Sequence, residues 1–324
     1  MNPKIIMRIL SQTDLKTKLR LTKVIPKLGS GDEIAKCMLC PNMCLYVCPV
    51  FDAERKLTVS PSLKSRIAYF GGEEAIYHCL PCDACKENCS MGISVNENLR
   101  KLRSGKYAEK IDSWINRISR RVEEKDGRFL YFPGCRTFEF GLFEKTVECL
   151  EKFGVDFALS SEVVCCGMPY YEIGDRRYLE HFSKLKKVAS GYEKVLSNCP
   201  HCVATMRELG INAEHLLSVL KPLQIGGVFS YHDPCLMARK LGLVDEPRNF
   251  LTACGLEIIE PVFNKKQTAC CGYGGIYRLL YPENAEKIAE RRRKELNFEV
   301  ITACPACRTA LKGKDLVELL LEVI

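Results

Sequence analysis

Ten of the twenty cysteines form one pattern that occurs twice. The first copy is Cys135, then Cys165-Cys166-Gly167, then Cys199-Pro200-His201-Cys202. The second is Cys235, then Cys270-Cys271-Gly272, then Cys304-Pro305-Ala306-Cys307. The gaps between elements are 29 and 32 residues in the first copy and 34 and 32 in the second. A single thiolate, a thiolate pair and a CxxC converge on one metal centre only if the intervening chain folds them together, and each gap has room for a strand, a helix and a second strand. Adjacent cysteines point to opposite sides of a regular strand, so both serve one centre only from an irregular loop, which the following glycine permits. Backbone N–H groups freed in such a loop can donate to sulfur, which raises the potential of a negatively charged cluster. The pattern predicts two metal sites on two related modules.

Eight further cysteines lie nearer the N-terminus, as Cys37-x2-Cys40-x3-Cys44-x3-Cys48-Pro49 and Cys79-x2-Cys82-x2-Cys85-x3-Cys89. Four thiolates presented by consecutive turns wrap a 4Fe-4S cube, and in two-cluster ferredoxins the fourth cysteine of each run ligates the other cluster. On that rule Cys37, Cys40, Cys44 and Cys89 hold one cube, and Cys79, Cys82, Cys85 and Cys48 the other. The first run has three residues where two are usual, and Ser90 stands where a proline is expected; neither departure removes a ligand. A pair of four-cysteine zinc sites is the other chemistry open to these residues. Zinc sites, however, separate their CxxC pairs by a long loop, whereas here four cysteines sit within 12 residues and then within 11.

The elements that must position these thiols are legible between them. RFLYFPGC and GVFSYHDPC each run a short apolar strand into the single cysteine. FGVDFAL and GLEIIE supply a second strand, each after a helical segment (LFEKTVECLEK and RNFLTA). Helices DRRYLEHFSKLKKVA and NAEKIAERRRKEL follow the Cys-Cys-Gly loops and lead into strands YEKVLSNC and FEVITAC. Strand alternating with helix predicts α/β modules with parallel strands, whose site lies in the loops at the strand C-terminal ends. SPSLKSRIAYFGGEEAIYHC and SVNENLRKLRSGKY read as helices, the first with a Gly-Gly break. The expected division is a helical cluster domain over 1–104, a linker helix over 105–127 with Ile111, Trp114, Ile115 and Ile118 on one stripe, a first module over 128–226 and a second over 227–324. Residues 1–36 space Ile5, Ile6, Ile9, Leu10, Leu15, Leu19 and Leu21 as an amphipathic lead-in.

With 324 residues, 47% of them hydrophobic, the chain can bury a sizeable core and divide into two or three domains. No apolar stretch approaches the roughly 18 residues of a membrane span, and MNPKIIMRIL has no secretory signal pattern, so a cytoplasmic protein is expected, peripheral at the inner face of the membrane through a partner. In a reducing cytosol, clustered cysteines read as metal ligands rather than disulfides. The formal charge of +8 falls to about +4 once two cubes with four thiolates each are counted at about −2. That balance suits a small anionic substrate or an acidic protein partner and does not point to nucleic acid.

The motifs YFPGC, CCGMP, SNCPHC, HDPC, ACCGYGG and TACPAC resemble the tandem cysteine-rich "CCG" domains of the heterodisulfide reductase family. Together with the eight N-terminal cysteines, the arrangement over roughly residues 34–310 resembles that reductase's D subunit: fold class α/β, an α-helical ferredoxin-like domain followed by two tandem α/β CCG modules. The resemblance implies two cubane clusters, and a non-cubane 4Fe-4S cluster on each complete motif. Cys135, Cys165, Cys166, Cys199 and Cys202 would hold one, and Cys235, Cys270, Cys271, Cys304 and Cys307 the other. It further implies that a disulfide, CoB-S-S-CoM or a similar one, is reduced between the two sites by electrons arriving through the cubes. The donor would be a redox partner subunit, either a membrane cytochrome b or a soluble flavoprotein or ferredoxin. The alternative is an electron-transfer subunit of a flavin-dependent glycolate, lactate or glycerol-3-phosphate dehydrogenase, whose relatives have lost part of the pattern in at least one repeat.

Other residues carry weaker expectations. Cys149 and Cys254 read as buried structural thiols. His232, Asp233 and His201 are placed to bond the cluster loops or to protonate a product thiolate. Arg239 and Arg278 are candidate anchors for substrate carboxylate or phosphate groups, and Arg291, Arg292 and Arg293 read as the solvated face of a helix. GYGG at 272–275 lacks the turn of a nucleotide-binding loop and belongs to the cluster loop.

Overall fold

The computed structural model describes residues 33–37, 40, 42–73, 75–118 and 122–324, with positions 11, 14, 15, 18 and 19 before them. Most of the N-terminal amphipathic lead-in, including Ile5, Ile6, Ile9, Leu10 and Leu21, lies outside the described residues; Leu15 and Leu19 are exposed.

The two halves of the repeat fold into two four-stranded sheets of the same design. In the first, β1 (Phe129–Tyr131), β2 (Phe157–Ala158), β3 (Lys194–Ser197) and β4 (Ala213–His215) take the order β2-β1-β3-β4. In the second, β5 (Val228–His232), β6 (Glu257–Ile259), β7 (Val300–Thr302) and β8 (Lys314–Asp315) take the order β6-β5-β7-β8. Every pairing is parallel. Parallel strands need crossover helices, which cover both faces, so the central strands read as apolar runs. Six of the eight strands match expected segments; β4 (AEH) and β8 (KD) escaped the sequence reading because these edge strands carry polar residues and no apolar run.

Chain order reverses between β1 and β3, and again between β5 and β7. The crevice at such a switch point, beyond the strand C-terminal ends, is where open α/β sheets place their ligands. Cys135 follows β1, Cys199 follows β3, Cys235 lies just beyond β5 and Cys304 just beyond β7.

One apolar core runs through both modules, joining Tyr131, Leu150 and Leu216 of the first to Tyr231, Leu251, Leu316 and Leu319 of the second. Because the cores are continuous, the two cysteine-bearing ends are held in fixed relation. His215 crosses this seam: its Nδ1 accepts from the Leu217 N–H at 3.2 Å, so the proton sits on Nε2, which donates to the Ala303 carbonyl at 3.1 Å. The N-terminal region is helical, with Pro49–Glu54, Pro61–Tyr69 and Val95–Arg100 around its cysteines. Pro61–Tyr69 ends just before the Gly71-Gly72 break. The linker becomes helix Ala108–Ile118, burying Ile111 and Trp114. No helix among the described residues is long and apolar enough to cross a membrane.

Candidate metal centres

The Cys-Cys-Gly loops are shaped by the helices that succeed them. Gly167 and Gly272 have φ of 80° and 86°, a region that glycine alone enters without cost. A Cβ at Gly167 would lie 2.6 Å from His181 Cβ, and one at Gly272 2.7 Å from the Ala285 carbonyl oxygen. Each loop is therefore seated on its following helix, Tyr178–Ala189 or Pro282–Lys294. The Gly272 N–H points at Cys270 Sγ across 3.5 Å, the contact to sulfur expected from an irregular loop. Each CxxC opens a helix, Pro200–Glu208 or Pro305–Leu311, with proline at a first-turn position where its missing N–H costs nothing.

Equivalent sulfurs meet in the two modules. Cys166 and Cys202 Sγ lie 3.6 Å apart, and their counterparts Cys271 and Cys307 3.3 Å. Cys235 and Cys270 lie 3.9 Å apart, while Cys135 is within bonding reach of Cys165. The three measured separations are well beyond the roughly 2.05 Å of a disulfide, and all twenty cysteines are free thiols. A cleft of about 700 Å³ opens between the modules, lined by Cys135, Cys166, Cys199 and Cys202 from one and by Cys235, Cys270, Cys271, Cys304 and Cys307 from the other. Cys165, 4% exposed, is buried and does not line the cleft.

The N-terminal thiols gather as well. Burial works against the charge of Lys64, but thiolates at Cys79, Cys48, Cys85 and Cys82 outweigh it and raise the pKa of this 1%-exposed ammonium, which also donates to the His78 carbonyl at 2.6 Å. Cys37 is pushed up to about 11 by burial, then by Cys40 and Cys89; Cys44 is pushed up to about 11 by burial, then by Cys40. Cys37 thus feels Cys40 and Cys89, Cys44 feels Cys40, Cys37 and Cys48, and Lys64 feels Cys48, Cys79, Cys82 and Cys85, so the eight thiols lie near one another. Buried thiols that oppose one another's ionisation are what a cationic all-sulfur metal site requires, since the metal supplies the missing positive charge. The donor sets fit iron–sulfur clusters.

The N-terminal region touches the second module through sulfur. Cys82 lies within hydrogen-bonding reach of Cys270, and that contact is the largest influence lowering Cys82 to about 7. Arg239 clamps the junction, donating to the carbonyls of Cys82 at 2.6 Å, Lys266 at 2.8 Å and Thr268. It is therefore an interdomain clamp and not the substrate anchor its position after a cluster loop suggested, because each of its three guanidinium nitrogens is spent on a backbone carbonyl. Arg278 is likewise spent on Glu139 at 2.8 Å, with its guanidinium over the rings of Phe140 and Tyr273. The Asp233 carboxylate is held by Arg248 at 2.8 Å on both oxygens and by the Lys265 N–H, so it is no proton donor to the cleft. Arg291 is exposed and paired with Asp52, but Arg292 is only 1% exposed; the solvated-face reading fails there because the helix turns that residue inward. Cys149 and Cys254 are fully buried among apolar neighbours.

Three cleft residues escaped the sequence reading. Arg136, next to Cys135, lines the cleft, stacks over Trp114 at 4.5 Å and donates to Glu139 and to the Gly275 carbonyl. Trp114 lines the cleft from the linker helix, and its buried Nε1 has no hydrogen-bond partner among the described residues. Glu172, 2% exposed, accepts the Ile276 N–H at 2.8 Å with one oxygen, while the other has no hydrogen-bond partner among the described residues and lies 3.5 Å from His201 Nε2. The apolar stripe of the linker placed Trp114 in a core, which is true of its ring and silent about its N–H.

A cysteine-rich (CCG) domain family matches residues 129–207 and 229–312, and a 4Fe-4S dicluster domain matches residues 33–93. The chain is 27% identical over 337 residues to the B subunit of the fumarate reductase (CoM/CoB) of Methanothermobacter marburgensis, covering 86% of this chain and 68% of that one. It is 27% identical over 324 residues to the EtfAB:quinone oxidoreductase of Syntrophomonas wolfei, covering 78% of this chain and 45% of that one. Against the D subunit of the dihydromethanophenazine:CoB–CoM heterodisulfide reductase of Methanosarcina barkeri it is 25% identical over 385 residues, covering 90% of this chain and 93% of that one. No solved structure matches. With its dicluster domain carrying two cubane 4Fe-4S clusters and its two cysteine-rich domains meeting at one cleft, the chain belongs to the CCG family of iron–sulfur oxidoreductases, in the arrangement of the heterodisulfide reductase D subunit.

Proposed function

We propose that the chain reduces a disulfide in the cleft between its two cysteine-rich modules. The observation that carries this reading is that nine of the ten repeat cysteines, drawn from both modules, line one cleft. A relay needs only a chain of sites, whereas RS–SR′ + 2 e⁻ + 2 H⁺ → RSH + R′SH takes two electrons and yields two sulfur products, which suits two sites facing one space. The first-module cysteines (Cys135, Cys165, Cys166, Cys199, Cys202) and the second-module cysteines (Cys235, Cys270, Cys271, Cys304, Cys307) would each hold a non-cubane 4Fe-4S cluster. The cubes would rest on Cys37, Cys40, Cys44 and Cys89, and on Cys48, Cys79, Cys82 and Cys85. Bound clusters supply one-electron storage and an iron with affinity for sulfur. The protein's own part is positional. Packing through the continuous core holds the modules at a fixed separation, and the cleft shields the sulfurs from bulk water. Arg136, paired with Glu139, sets a guanidinium in the cleft wall beside Trp114, where an anionic group of a disulfide can meet it. The donor is a separate redox protein, docking where Cys40, Cys44 and Cys89 are partly exposed.

The test is low-temperature EPR on anaerobically purified, oxidised protein with and without thiols such as coenzyme M. A paramagnetic signal that forms only with thiol is expected; signals indifferent to every thiol would defeat the reading. That second outcome would support an electron relay to a flavin-dependent dehydrogenase, a reading favoured by the match to a protein named for oxidoreduction between EtfAB and quinone.

A further inference from the structure

The two repeats keep the same spacing around their CxxC elements, yet one pair of side chains in the second has no counterpart in the first. His232 stands three residues before Cys235, and Phe132 three before Cys135. Arg292 stands 21 residues after Cys271 and 12 before Cys304; Lys187 stands 21 after Cys166 and 12 before Cys199. Both His232 and Arg292 are buried, whereas Phe132 is buried and apolar and Lys187 is exposed.

In the second module these two groups are wired to each other. Arg292 Nε donates to His232 Nδ1 at 3.2 Å, while its other nitrogens bind Glu295 at 2.7 Å and the Phe263 carbonyl at 2.8 Å. A guanidinium has no acceptor and does not lose its proton, so Nδ1 must accept and the imidazole proton resides on Nε2. That Nε2 is buried with no nitrogen or oxygen partner among the described residues. A ring nitrogen of His232 and the sulfurs of Cys271 and Cys307 lie within 4.8 Å of one another. The ring interacts with Cys271, and with Nδ1 taken by Arg292 the nitrogen left to face that sulfur is Nε2.

We propose that the His232–Arg292 pair holds the second-module iron–sulfur site at a higher reduction potential than the first, by aiming at Cys271 sulfur an imidazole N–H that the Arg292 guanidinium fixes on Nε2. This rests on the reading that each module carries its own cluster. A donor to a ligand sulfur, like a nearby cation, stabilises the more negative reduced state, and burial strengthens both effects. In the first module the apolar ring of Phe132 offers neither. The second module meets the N-terminal region through the Cys82–Cys270 contact, so an electron leaving the adjacent reduced cube enters the more oxidising site, and the cube is returned to its oxidised state by that one-electron loss. His232 and Arg292 act here as positioning residues that make the two sites unequal.

The experiment is an EPR-monitored redox titration of the anaerobically purified holoprotein, with iron and sulfide contents determined. Cys166→Ala and Cys271→Ala assign the signals to modules by their loss. The second-module signal is expected at the higher potential, and His232→Phe should move it down toward the first while leaving the cubane potentials and the iron content unchanged. His232→Gln, which keeps an N–H donor, should restore part of the shift, and Arg292→Gln should lower the potential without removing the cluster. Equal potentials in the native protein, or a His232→Phe holoprotein with full iron and an unmoved potential, would overturn the proposal. So would strong nitrogen hyperfine coupling to the second-module signal, which would make His232 a ligand. Iron contents matching two cubes alone would instead defeat the reading of two further clusters on which the proposal rests.

Discussion

At Gly272 the chain meets two demands at once: a left-handed backbone that aims both neighbouring thiols at one centre, and a surface without Cβ where the loop touches Ala285 and Ile288. Gly272→Ala should therefore lose roughly 2–4 kcal/mol, from the αL cost and the overlap together. Gly141, also at positive φ but with open space around it, should lose only about 1 kcal/mol as alanine. Thermal melts of the two variants, with iron content, separate these cases; equal losses would mean that the contact with the helix contributes nothing. Trp114 presents a different demand, a buried N–H on a cleft-lining side chain without a partner among the described residues. Trp114→Phe keeps a ring for Arg136 to stack over and removes that donor. A rise of about tenfold in KM for the disulfide substrate proposed above, equivalent to about 1.4 kcal/mol, is expected with the fold intact, and steady-state kinetics check it.

At the scale of elements, helix Leu316–Leu321 shows how a short segment is held and made pH-sensitive. Asp315 caps it, its side chain accepting the Val317 N–H at 3.1 Å, while Glu318 reaches back to the Asp315 N–H at 3.2 Å. Burial pushes the Asp315 carboxyl up to about 7, because one oxygen has no partner among the described residues and charge there is poorly solvated. The folded state then holds a proton that the unfolded chain has released between about pH 4 and 7. Across that window the unfolded state binds fewer protons, so this residue makes stability fall as pH rises. Glu318 acts in the opposite sense and lower down. Arg308 and Lys145 outweigh its burial and hold it at about 2, so its contribution is present above its ordinary range and is lost as pH falls through about 2. Asp315→Asn keeps the cap acceptor and should flatten the decline between pH 4 and 7; denaturant midpoints measured across that range, unchanged in slope from the native protein, would refute the assignment.

For the whole molecule, a few buried guanidiniums reinforce the apolar clusters that the N-terminal region shares with both modules. Arg103, 6% exposed, donates to the Ile76 carbonyl at 2.9 and 2.7 Å and to the Glu172 carbonyl at 2.5 Å, tying the cluster-bearing N-terminal region to the first module. Arg239 does the same for the second module at Cys82. Arg103→Met would leave two carbonyls buried without donors, at a cost of about 3 kcal/mol. Calorimetry of the holoprotein should then resolve two transitions where the native protein shows one; a single transition at the native temperature would show that apolar packing alone couples the regions.

The sequence by itself determined the repeat, the parallel α/β character of both modules, the helical N-terminal region and the sulfur-rich character of the sites, since each is written in local spacing: cysteines at fixed intervals, apolar runs of strand length, glycine after the doubled cysteine. What only the tertiary structure decided depends on distance in space between residues far apart in the chain. That the two modules turn their sulfurs toward one cleft, that Cys82 meets Cys270, and that Arg239 binds backbone and not substrate are properties of packing between domains. Arg292 is the sharpest instance. Within the run Arg291-Arg292-Arg293 all three look alike, and only the rotation of that helix against β5 sends one guanidinium inward to His232 while its neighbours pair with Asp52 and Glu286 nearer the surface, because helical phase relative to a partner is set by the core and not by the local run of charges.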